Sequence, residues 1–70
     1  MKYIYKLILS RGETDYTIGY FTSRNKAFQL AENSIKKNGE RTLLKRKRRE
    51  MSEVIGDGGS YYAIETLWVQ

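Results

Sequence analysis

The sequence predicts an α+β fold: a small antiparallel sheet with one amphipathic helix packed across one face. The sheet is expected from an N-terminal β-hairpin together with a C-terminal hairpin or helix–strand pair. Three observations predict this. Two short apolar-rich runs, Tyr3–Leu9 and Tyr16–Phe21, flank a glycine-containing turn, as in a hairpin. Ala27, Phe28, Ala31 and Ile35 then recur at spacings of one, three and four, which gathers them on one stripe of a helix. Finally, Tyr61–Val69 is apolar on both alternating faces, the mark of a central strand buried on both sides.

In the first run, Tyr3, Tyr5, Leu7 and Leu9 fall on one side of a pleated strand and Lys2, Ile4, Lys6 and Ile8 on the other. Ser10–Asp15 contains Gly12 and short polar side chains that bond back to the backbone, so a hairpin with a longer loop is expected. Gly19 inside the second strand marks a bulge or a close backbone approach. Thr22-Ser23 offers a hydroxyl cap for the helix start. Asn38-Gly39 supplies a left-handed stop about four turns later.

The stretch from Glu40 to Ile55 supports two readings. Its Leu, Lys, Arg, Glu and Met residues are good helix formers, and a helix would place Leu44, Met51 and Ile55 on one face, with an Arg49–Glu53 ion pair. Against this, Ser52–Ile55, the glycine-rich Gly56–Gly59 and Ser60–Tyr62 read together as a hairpin, with Asp57-Gly58 suited to a type I′ turn. Strand is expected near that turn, and Thr42–Arg49 stays open between helix and a charged edge strand. Trp68, so near the last residue, predicts that this end is tied into the fold.

Seventy residues make one domain, residues 1–70. A chain of this size buries only about 60% of its unfolded surface, so good aromatic packing or a homodimer is expected to help, the latter checkable by light scattering. With no cysteine and no histidine, disulfides, thiolate or imidazole metal sites and a titrating imidazole are excluded, and no cofactor or metal is expected. The strongest apolar run is interrupted by Lys6 and far shorter than the ~20 residues of a membrane span. It also lacks a cleavage pattern for export. A cytoplasmic protein with no membrane partner is the expectation.

Catalytic chemistry finds little footing. Ser10, Ser23, Ser34, Ser52 and Ser60 have no histidine to activate them, the lysines sit in solvated contexts, and the carboxylates are scattered. Gly56-Asp57-Gly58-Gly59 lacks the following helix and Lys-Ser or Lys-Thr pair of a phosphate loop. The chain is expected not to be an enzyme.

The one feature with a direct physical consequence is Lys45-Arg46-Lys47-Arg48-Arg49. With Lys36, Lys37 and Arg41, these make eight cations against one acid, Glu40, between residues 36 and 49, a surplus of seven. The remaining residues carry a net −2, so the overall +5 comes from this segment. Such a segment neutralises backbone phosphates and releases condensed counterions, and arginine adds forked bonds to phosphate. If extended, it puts Lys45, Lys47 and Arg49 on one side and Arg46 and Arg48 on the other. Tyr61 and Tyr62 are candidate platforms for stacking bases, against the plainer reading of core tyrosines with rim hydroxyls. The run also reads as a guarded sheet edge or a nuclear-localisation-like string.

The leading expectation is a non-enzymatic nucleic-acid-binding domain. The rival is a small inhibitor or adaptor docking on an acidic or nucleic-acid-binding protein. In size, lack of catalytic residues and compact αβ pattern, the chain resembles in general character the short proteins that phages encode against host machinery, including anti-CRISPR proteins. No motif matches a specific family, and no residue role is carried over. A third reading is a structural accessory whose partner is a second copy of itself.

Overall fold

Local turn chemistry sets the first hairpin. In the computed structural model, which describes residues 2–69, β1 (Lys2–Arg11) and β2 (Thr14–Phe21) pair antiparallel up to Arg11↔Thr14. The loop is therefore only Gly12-Glu13, shorter than the sequence suggested. Gly12 alone takes positive φ (62°), as a type II′ turn requires at its first position. The Ser10 hydroxyl donates to Asp15 across the pair at 2.9 Å. Leu7 faces Gly19 while Ile8 faces Thr17, so Ile18 is a bulged residue beside Gly19, as that glycine predicted.

The helix α1 (Arg24–Lys37) begins where Ser23 was expected to cap it: its hydroxyl accepts from the Lys26 N–H at 3.4 Å. It ends in a Schellman arrangement. The Glu40 N–H donates to the Ile35 carbonyl at 3.1 Å and the Gly39 N–H to that of Lys36 at 3.0 Å, with Gly39 at φ 78°.

The undecided segment resolves as two strands, β3 (Thr42–Arg46) and β4 (Met51–Gly56), followed by β5 (Tyr61–Val69). Pairing with a partner strand here overrides helix propensity, which is weak per residue. Leu44, Met51 and Ile55 therefore share a sheet face rather than a helix face, and Glu53 meets Arg46 instead of Arg49. The β4–β5 turn also corrects the type I′ expectation. Asp57 and Gly58 keep negative or extended φ, and only Gly59 (φ 101°) is positive. The Gly59 N–H donates to Gly56 O at 3.1 Å and the Gly56 N–H to Ser60 O at 2.8 Å, a three-residue loop with a left-handed closing glycine.

The sheet order is β2-β1-β5-β4-β3, all antiparallel. This is the small α+β architecture expected, and β5 is central. Its helix-side residues Tyr62 and Ile64 join Leu7, Val54, Ala27, Phe28, Ala31 and Ile35 in the core. The opposite face carries Ile4, Ile8, Ala63, Leu67, Ile55 and Leu44 by alternation. No described element covers that face, so the two-sided burial read into β5 is met by one layer, not two.

Candidate nucleic-acid interface

The basic run occupies the sheet edge and the turn beyond it. Lys45 and Arg46 lie in β3, and Lys47–Glu50 form the connection to β4. That connection is pinned from inside: Ser52, fully buried, accepts from the Arg48 N–H at 3.2 Å and donates to the Arg48 carbonyl at 3.3 Å. A lone serine within an apolar-alternating strand was the only sequence signal for this anchor.

Strand alternation divides the cations as an extended chain should. Lys45 turns to the helix side, 2.9 Å from Glu32 and 4.9 Å from the centre of the Phe28 ring. Lys47 lies 5.8 Å from the same ring. Arg46 turns to the other face, 3.6 Å from Glu53. Lys36 and Arg41 line one shallow cleft with Glu32, Glu40 and Thr42, so Glu32 links them to Lys45. Lys37 lines an adjoining groove with Leu30, Asn33 and Lys36, the last two shared with that cleft. Arg48 and Arg49 flank a third, beside Glu50 and Met51. The eight cations thus fall in neighbouring groups along the α1–β3 side and the β3–β4 turn rather than on one flat patch.

The two tyrosines considered for stacking are differently placed. Tyr62 is 5% exposed and belongs to the core, which removes it as a platform. Tyr61 is half-buried and its hydroxyl donates to Glu53; that bond, then burial, raises its pKa. The exposed aromatics are Tyr3, Tyr16, Tyr20 and Trp68. Tyr3 and Trp68 face each other across β1 and β5, with ring centres 4.7 Å apart in an edge arrangement.

Glu40 performs structural work at the other end of β4. Its carboxylate accepts from the Ser60 hydroxyl, the Ser60 N–H (3.2 Å) and the Gly58 N–H (2.9 Å). The Ser60 hydroxyl bond is the chief reason its pKa is lowered. A Cβ on Gly58 would fall 2.8 Å from the Glu40 side chain, so this close approach needs glycine. Asp57 accepts from the Arg41 N–H at 3.0 Å. The lone acid within the basic segment is therefore committed to the β4–β5 turn.

Sequence reasoning did not single out Arg24. It stands at the first position of α1, its guanidinium 5.2 Å over the Tyr5 ring, donating to the Arg49 carbonyl and the Thr66 hydroxyl at 3.3 Å each. Its position after the Ser23 cap was the available signal. Among the described residues, no cluster of acidic, histidine or cysteine side chains could hold a metal ion, and no helix is long and apolar enough to cross a membrane. Comparison with protein-family models, curated proteins and solved structures found no match to this chain.

Proposed function

We propose that this protein is a non-enzymatic, cytoplasmic nucleic-acid-binding domain. Lys45–Arg49 form the principal contact, and Lys36, Lys37 and Arg41 extend it. The observation that carries the reading is a surplus of seven positive charges in residues 36–49, whose basic side chains, on the end of α1, before and along the edge strand β3 and in the turn after it, are exposed. Only Lys45 and Arg46 of the run have a carboxylate within ion-pair distance among the described residues. The others are available to displace counterions from phosphates, which gives affinity with little sequence information.

Fluorescence anisotropy with short single- and double-stranded DNA and RNA at several salt concentrations tests this. Binding whose log–log salt slope shrinks when Lys47, Arg48 and Arg49 are changed to glutamine supports it. No binding at low salt overturns it and moves the search to an acidic protein partner, sought by pull-down with and without nuclease.

A further inference from the structure

The sheet is longer than the helix that covers it. α1 starts over Tyr5 and Thr66, where Arg24 is anchored. The next residues on the same face, Tyr3 and Trp68, project past the helix N-terminus and are 46% and 48% exposed. β4 also stops short: its first pair with β5 is Met51↔Glu65, beyond which the Thr66 N–H donates to Glu50 O at 2.9 Å. By strand alternation, the Trp68 N–H and C=O face this same side, past the end of β4. The result is a cleft of about 620 Å³ walled by Tyr3, Trp68, Arg24, Arg49, Glu50 and Glu65.

Its chemistry is specific. One wall is the half-exposed Trp68 indole, in an edge-to-face arrangement with Tyr3. The floor is cationic: Arg24, whose guanidinium donates to the Arg49 backbone carbonyl, and Arg49 both line it at the positive end of α1, whose first turn holds no acid. The Arg24 Nε is buried without a hydrogen-bond partner. The remaining wall includes Glu50; strand alternation turns the Glu65 side chain to the opposite face, beside Lys6 and Met51. Phosphate suits the arginine side, whereas the Glu50 carboxylate repels a second phosphate and accepts from an exocyclic amino group, such as the cytosine N4 donor.

We propose that this cleft holds one unstacked base of a single-stranded nucleic acid. The base stacks on Trp68, its adjoining phosphate lies on Arg49 at the Arg24 end, and its amino edge is toward Glu50. The inference rests on the nucleic-acid reading above and adds a strand preference to it. A duplex cannot present a stacked-in base to the cleft.

Trp68 is the sole tryptophan and therefore its own reporter. The experiment titrates wild-type protein with single-stranded DNA and RNA of about ten nucleotides and with a duplex of equal length, following both tryptophan emission and oligonucleotide anisotropy. Single strands are expected to quench Trp68 and bind more tightly than duplex, with oligo-C above oligo-U. Trp68→Ala is expected to weaken single-strand binding about tenfold or more, the loss of one base–aromatic stack, while Trp68→Phe retains most of the affinity. Circular dichroism checks that both variants fold, and Arg49→Gln, outside the core, is a third variant, expected to weaken single-strand binding. Single-strand binding without quenching of wild-type Trp68 overturns the cleft while leaving the proposed function standing. Equal affinity for oligo-C and oligo-U removes Glu50 from the site. No binding to any nucleic acid overturns both readings together.

Discussion

Glu32 on α1 and Lys45 on β3 tie the edge strand to the helix, Oε1 to Nζ 2.9 Å apart. Both side chains are substantially exposed, so the pair contributes at most about 1 kcal/mol to stability. Its larger effect is on which charges remain for a ligand. Lys45 already has a carboxylate, as does Arg46 through Glu53.

The salt dependence of binding should therefore differ along the run. Arg48→Gln and Arg49→Gln are each expected to reduce the single-strand salt slope by about 0.7, the loss of one phosphate contact. Lys45→Gln and Arg46→Gln should reduce it by less than half of that. Equal effects at all four positions, measured by anisotropy across a salt series, would contradict the division made by the ion pairs.

Phe28 is the largest fully buried side chain, on the helix face toward the sheet. Truncating such a residue costs about 3–5 kcal/mol, against a total stability of about 0.05–0.15 kcal/mol per residue. Phe28→Ala should leave the chain largely unfolded at room temperature, while Phe28→Leu should fold with a lowered Tm. Thermal melts followed by circular dichroism distinguish these; an unchanged melt for Phe28→Ala would remove it from the core.

Glu40 makes stability depend on acid. Its folded pKa lies below the ordinary value because the Ser60 hydroxyl and the backbone N–H groups of Ser60 and Gly58 bind the carboxylate. That contribution is fully present above the unfolded value and is lost as the pH falls through the lower, folded one. Glu40→Gln should be less stable at neutral pH and show a shallower loss toward acid. Parallel acid limbs for the two proteins in denaturant titrations would show that Glu40 is not a source of the slope.

Tyr61 has the opposite sign. Hydrogen bonding to Glu53 and burial favour its neutral form, so the stabilisation is present below the unfolded phenol pKa and lost as the pH rises through the higher, folded value. Ultraviolet difference titration should find a late-ionising component that vanishes in Tyr61→Phe. Its persistence in the variant would place the perturbed phenol elsewhere.

The first hairpin and helix were legible because their signals were local. Gly12, Ser23 and Asn38-Gly39 act within a few residues, and the stripe Ala27–Ile35 needs only helical periodicity. The segment from Thr42 to Arg49 was not legible, because its conformation depends on β4 alongside it and on Ser52 gripping Arg48. The type I′ expectation failed for a similar reason. Asp57-Gly58 is a suitable pair for that turn, but Glu40, eighteen residues from Gly58, captures the Gly58 N–H instead, and the left-handed position moves to Gly59. The basic residues could be read from the sequence, whereas the Trp68 cleft could not. It is created by where α1 and β4 stop, which no local pattern records.

The pairing of β1 with β5 at the heart of the sheet also governs how the chain reaches its native state. Every central contact joins early residues to late ones, as in Leu7↔Ile64 and Lys2↔Val69. The loop-closure entropy must be met before these contacts stabilise anything, so a slow folder is expected for so short a chain. During synthesis, β1, β2 and α1 emerge with the inner edge of β1 unpaired and Leu7 without Ile64. Until β5 follows, that edge is a template for any extended chain nearby, and completing the sheet is what closes it.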